Sequence, residues 1–228
     1  MTAAKSPARP NKPRADHTTP ARPARAVRES RQRILSAIRE AAIEEFSLHG
    51  LRGTSTQAIA ERAGLTKPQL HYYITGKEEL YNELLDSVMM AWKIEFAPSG
   101  LTEPADILSH YIRQKLDHAF DQPTVSRIFT REILDGGHNL GRYWPNARVW
   151  IQKEVGIING WIARGLMRPM NAHLLLMHIW AMTQHHADFA LQVREICGSE
   201  RDPEPLNREA VANDLIPFVL RGCGLMRD

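Results

Sequence analysis

The chain has 228 residues, 43% hydrophobic and 24% charged, which is ordinary for a globular protein and long enough for a small domain fused to a larger one. Two cysteines, Cys197 and Cys223, are too few for a disulfide framework or a structural zinc site. A net charge of +3 neither demands nor excludes nucleic acid, so the placement of charge has to decide.

Residues 1–27 read as a disordered basic arm. Pro7, Pro10, Pro13, Pro20 and Pro23 oppose a helix, and seven cations from Lys5 to Arg28 face a single acid, Asp16. Such an arm either lies along phosphates or simply keeps the chain dissolved. It has no apolar signal core, and no apolar run in the chain approaches the roughly 20 residues of a membrane span. The expectation is a cytoplasmic protein with no membrane partner.

From Glu29 the pattern turns helical. Ile34, Leu35, Ile38, Ala41, Ala42 and Phe46 recur at helical spacing, interrupted only by Glu45, and Gly50 closes the segment. Short helices over 55–63 and 67–73 follow, then a longer one over 77–96 with Leu80, Leu84, Val88 and Ala91 on one face. Beyond Pro98 and Gly100 the spacing predicts helices near 104–120, 123–135, 146–165, 171–196 and 206–221, the last kinked by Pro217. No stretch alternates as a strand does. The expected fold is all-α with about nine helices: a head over 28–76 and a larger bundle over 77–228.

Residues 54–77 carry the logic of a helix-turn-helix. Ser55 or Thr56 caps its first helix, and Gly64 makes the turn at positive φ. Thr66 caps the second helix, with Pro68 in its first turn, where a missing N–H costs nothing. Lys67, Gln69, His71 and Tyr72 then face outward. Gln69 is the candidate base reader, since an amide pairs with adenine N6 and N7. Lys67, Tyr72 and Lys77 suit phosphates, and Thr54, Ser55 and Thr66 join them as candidate DNA contacts at the helix starts.

From Ile34 through Leu80 the chain resembles the TetR family of transcriptional regulators, carried by "FSLHGLRGTSTQAIAERAGLTKPQLHYYITGKEELY". The resemblance implies a dimer on a palindromic operator and a C-terminal bundle that binds a small effector. His71 and Ile74 depart from the aromatic residues usual there. The later segments "YIRQKLDHAF", "PTVSRIFTREILDG", "IINGWIARGLMRP" and "HIWAMTQHHADFALQV" resemble the family's pyrimidine-sensing members, which implies a ligand such as uracil or thymine. The resemblance also implies that the last two long helices pair across the dimer.

The residues themselves point to a pocket without naming its ligand. Trp180, Thr183, Gln184 and Asp188 share one face of helix 171–196, and a buried polar stripe needs partners. Gln184 and Asp188 suit the donor and acceptor edge of a flat heterocycle, with Trp180 or Phe129 stacking on it. Tyr111 and Lys115, or Arg131 or Trp92, suit the opposite wall. The plainer alternative is that these groups satisfy one another, and that the chain is a ligand-blind architectural DNA binder.

His173, His178, His185 and His186 lack the i, i+3 or i, i+4 His pair that a helical metal site uses, so neither metal nor cofactor is expected. Glu132 and Asp135 read as a solvated acid pair. With no phosphate loop, HExxH or nucleophile elbow in the sequence, an enzyme is not expected.

Overall fold

The computed structural model describes residues 22–91, 93–198 and 206–226. The expected arm lies mostly outside these residues, as do Trp92 and the segment 199–205. Among the described residues every regular element is a helix.

Helix α1 spans Arg22–Gly53. It starts seven residues before Glu29, because Pro23 falls in its first turn, where proline is tolerated. The part of the expected arm from Arg22 onward is therefore helical. Gly50, at φ 66°, interrupts α1 as expected and leaves one further turn to Gly53. The Arg131 side chain lies so close to Gly50 that an added Cβ would sit 3.1 Å from its Cδ.

Helices α2 (Thr56–Arg62) and α3 (Lys67–Tyr73) form the helix-turn-helix. Ser55 accepts the Ala58 N–H as N-cap, and Gly64 takes φ 70°, which any side chain would strain. Helix α4 (Lys77–Ala91) follows and buries Leu80, Tyr81, Leu84, Leu85 and Val88. It stops five residues short of the expected Phe96. The chain turns there so that the Phe96 ring can pack edge-on to Tyr111 at 5.0 Å and stack on Trp161 at 5.9 Å.

The bundle comprises α5 (Pro104–Asp121), α6 (Pro123–Leu134), α7 (Trp144–Ala163), α8 (Ala172–Asp188), α9 (Ala190–Cys197) and α10 (Arg208–Cys223). Among the described residues ten helices replace the expected nine, because the chain breaks at Phe189, dividing the expected helix 171–196 into α8 and α9. Pro217 lies inside α10, which continues past it. Asn171 and Asn207 cap α8 and α10.

Two apolar cores result. One lies among α5, α7, α8 and α10. The other gathers Ile38, Phe46, Ile59 and Leu70 of the head with Leu80, Leu84 and Leu85 of α4, Ile128 of α6 and Leu140. The head core thus runs past residue 76. Helix α6 packs on α1 and α4 on one side and on α5 and α8 on the other, so it bridges the cores together with α4.

Candidate nucleic-acid interface and effector cavity

Helix α3 presents Lys67, Gln69, His71 and Tyr72 to solvent, with Leu70 pinned in the core beneath them. Tyr72 is 80% exposed and meets Tyr73 edge-on at 5.1 Å. An exposed aromatic of this size on a helix with cationic and amide neighbours is suited to a phosphate or sugar edge. Ser55 and Thr66 are exposed too, and their oxygens cap α2 and α3.

Three of the expected DNA contacts have other work. Thr54 is 2% exposed and its hydroxyl donates to the Glu45 carbonyl at 3.1 Å, so its side chain faces the core. Lys77 donates from Nζ to the carbonyls of Leu51 at 2.9 Å and Thr54 at 2.7 Å. It therefore ties the start of α4 to the end of α1, and its first role is to hold the head together. Gln69 closes a capping box: its Oε1 accepts the Thr66 N–H at 2.8 Å, and its own N–H bonds back to the Thr66 hydroxyl at 3.3 Å. A bidentate grip on adenine needs Oε1 together with Nε2, and here Oε1 is engaged in the cap.

Glu45, the one break in the apolar face of α1, is also explained. It is buried and accepts from Arg62 Nε at 2.7 Å, which locks α2 onto α1.

In the bundle, a cavity of about 1000 Å³ opens between the loop after α4 and helices α5 to α8. That is at the upper end of the size of small-molecule sites. Tyr111, Lys115, Phe129, Trp180 and Gln184, five of the expected ligand residues, line it together. The Trp180 indole N–H donates to the Tyr111 hydroxyl at 2.8 Å. Lys115 Nζ lies 5.4 Å from the Tyr111 ring centroid and 5.9 Å from that of Trp180, a cation over two π faces. Phe96, Trp144 and Trp150 add further aromatic wall.

Two expected residues are elsewhere. The Thr183 hydroxyl turns back to the Ile179 carbonyl at 2.8 Å and is fully buried. Asp188 accepts from Ser126 at 2.8 Å and Thr130 at 2.6 Å, fastening α8 to α6. Spacing puts both on the face of Trp180 and Gln184, but Thr183 spends its hydroxyl on the backbone of its own helix and Asp188 meets α6 instead of the cavity. Trp92 lies outside the described residues.

Glu154 of α7 is the cavity residue that the spacing argument missed. It is 9% exposed, lines the cavity, and its Oε2 has no hydrogen-bond partner. Burial pushes its carboxyl up to about 7, with the Lys115 charge pulling the other way. Burial likewise lowers Lys115 to about 8, opposed by Glu154, and holds the Tyr111 hydroxyl well above its ordinary range. The signal was present: position 154 falls between Ile151, Val155 and Ile158, on the buried face of its helix.

Glu132 corrects a second expectation. Rather than a solvated acid, it is 4% exposed and accepts from Tyr81 at 2.9 Å, from the Asn139 N–H at 2.7 Å, and from Asn139 Nδ2 at 3.2 Å. Asp135 does remain exposed. The Tyr81–Glu132 bond joins α4 to α6, and burial raises the Tyr81 hydroxyl pKa, helped by that bond.

Among the described residues no cluster of three His, Cys, Asp or Glu groups is placed to hold a metal. His185 stacks on Phe189 at 5.0 Å and His186 on Phe120 at 5.6 Å. No helix of the described residues is long and apolar enough to cross a membrane.

Comparison with known proteins agrees with this geometry. Residues 38–84 match the family described as bacterial regulatory proteins, tetR family, and residues 83–226 match the C-terminal region of YcdC-like proteins. The HTH-type transcriptional regulator RutR of Escherichia coli strain K12 is 34% identical over 197 residues, covering 83% of this chain and 88% of that regulator. Among solved structures, the ketosteroid transcriptional regulator KstR2 of Mycobacterium tuberculosis superposes with a TM-score of 0.65 at 20% identity, covering 84% of this chain and 94% of its own. AibR, solved in complex with isovaleryl coenzyme A and operator DNA, gives a TM-score of 0.58 at 17% identity over 79% of this chain and 97% of its own.

Proposed function

The chain belongs to the TetR family of transcriptional regulators, and from that premise we propose that it is a cytoplasmic, dimeric, non-enzymatic repressor, released from a palindromic operator by a pyrimidine-type effector such as uracil or thymine. The observation that carries the reading is the cavity, which gathers Tyr111, Lys115, Phe129, Trp180 and Gln184 around one space in a chain whose head presents an exposed recognition helix. Flat aromatic walls beside a few amide, ammonium and carboxyl groups suit a planar nitrogen heterocycle. The similarity to RutR and the resemblance to pyrimidine-sensing regulators support the same ligand class.

In this reading, residues 28–76 read DNA and residues 77–228 bind effector and partner subunit, with residues 1–27 adding electrostatic attraction. Helices α8 and α10 leave Leu174, Met177 and Phe218 at least half exposed, an apolar surface suited to a four-helix contact between two copies. A dimer spaces two α3 helices about one DNA turn apart, ~34–36 Å.

Release is a population shift. The effector favours the arrangement in which it binds best, and it changes DNA affinity only as far as that arrangement differs from the DNA-bound one. Helix α6 offers the route: Phe129 faces the cavity, Ser126 and Thr130 hold Asp188 of α8, and Glu132 holds Tyr81 of α4. This route adds α6 to α4, the link expected from the sequence.

A thermal-shift screen of nucleobases on the full chain tests the effector. At 1,000 times the dissociation constant a ligand adds about 4 kcal/mol of stability. Absence of a shift from every pyrimidine would remove the effector assignment and leave the DNA-binding one intact.

A further inference from the structure

Helices α5, α7 and α8 bring four polar side chains to one corner of the cavity: Tyr111 and Lys115, Glu154, and Trp180. Three of these have complementary neighbours. Trp180 donates to Tyr111, and Lys115 lies over both rings with an ammonium that carries three donors. Glu154 differs. Its carboxyl is nine-tenths buried on the cavity wall, and Oε2 is left without a donor. A buried acceptor in that state is costly unless something fills the place of the missing donor. The corner has an ammonium and a phenolic hydroxyl that give protons, and a carboxylate oxygen that lacks one.

We propose that Glu154 determines the effector specificity of this cavity: its Oε2 accepts an N–H of the ligand while Lys115 takes the neighbouring carbonyl, so that the effector carries both on one edge of a planar ring. This inference rests on the pyrimidine-type reading above and assigns its recognition chemistry to particular atoms. An alternating C=O and N–H edge fits a donor and an acceptor supplied from facing helices. Trp180 and Tyr111 border the same corner and offer an aromatic surface on which the ring can lie. A ligand in which the N–H becomes N–CH₃ both removes the donor and directs a methyl group at the carboxylate.

The test compares uracil with 1,3-dimethyluracil by calorimetric titration of the full-length protein at about pH 8, above the value of about 7 to which burial raises the Glu154 carboxyl, in wild type, Glu154→Gln and Glu154→Leu. In the wild type, uracil is expected to bind roughly 10–100-fold more tightly than its dimethyl analogue, the range of a hydrogen bond to a charged group. Glu154→Leu should lose that margin by weakening uracil. Glu154→Gln, which keeps a neutral acceptor oxygen, should fall between them. Equal binding of both ligands by the wild type, or undiminished uracil binding by Glu154→Leu, overturns the role of Glu154 and leaves a pyrimidine-type effector standing. Failure of the wild type to bind either ligand overturns both. A circular-dichroism melt of each unliganded variant checks folding. If Glu154→Leu does not fold, the wild-type ligand pair and Glu154→Gln decide by the same criteria.

Discussion

The head and the effector cavity are built on opposite terms. In the head, each polar side chain that enters the interior is met: Glu45 by Arg62, Thr54 by the Glu45 carbonyl, and the carbonyls of Leu51 and Thr54 by Lys77. Among the described residues, the buried side-chain atoms without a hydrogen-bond partner are Gln114 Oε1, Glu154 Oε2 and His186 Nδ1, all in the bundle. A head whose interior polar groups are satisfied from within is held in one arrangement by its own bonds. A cavity wall that holds an unmet carboxylate is completed from outside. The contrast teaches where rigidity and responsiveness lie in this chain, and Glu132, between the two, is where they meet.

The most damaging substitution should strike that junction. Glu132→Ala removes the acceptor for Tyr81 and Asn139 at once and leaves the buried Tyr81 hydroxyl without its partner. Chemical denaturation should show a loss of roughly 2–4 kcal/mol. A loss within experimental error would mean that α4 and α6 are not coupled through this group.

Lys77→Ala comes next, at roughly 1–3 kcal/mol, because two charge-assisted bonds between α4 and the end of α1 disappear. DNA affinity should fall for all sequences, with the salt dependence of binding unchanged. A salt slope reduced by about one would instead make Lys77 a phosphate contact.

Glu154 sets a pH dependence confined to the bundle. Its folded-state pKa is raised by burial from 4.5 to about 7, so the folded chain keeps a proton there that the unfolded chain gives up. Stability from this group is complete below 4.5 and is lost as pH rises towards 7. Lys115, lowered from 10.5 to about 8, acts in the opposite sense and only above that window. Thermal melts of wild type against Glu154→Gln should therefore diverge across this range by roughly 3 kcal/mol, the wild type declining. Parallel curves would contradict the burial of an ionisable carboxyl.

The smallest effect belongs to Gln69→Ala. Loss of the capping box should cost about 0.5–1 kcal/mol, while base preference relaxes at one operator position. An unchanged preference would show that the remaining Nε2 donor reads nothing.

These residues also show how far the sequence carries. The caps at Ser55 and Thr66, the positive φ of Gly64 and the outward set on α3 follow from local rules, because a cap or turn is decided within three or four residues. The internal bonds of Lys77 and Thr54 are not legible in the sequence, because their partners lie 26 and 9 residues away. On α8 the shared face of Trp180, Gln184, Thr183 and Asp188 was legible. Which neighbour meets each part of that face was not, since it depends on how α5, α6 and α7 pack around the helix. Periodicity identifies a face, and only packing says whether the face meets a cavity, a helix or its own backbone.

Filling the cavity should weaken the grip of the head on DNA. Fluorescence anisotropy of full-length protein on an operator selected from random duplexes, titrated with uracil and thymine, tests it most directly. The expected result is release of the duplex by at least one of them, with a midpoint shifted to higher ligand concentration in Trp180→Ala, whose unliganded DNA affinity stays unchanged. DNA affinity that holds constant at ligand concentrations saturating the cavity would contradict the account.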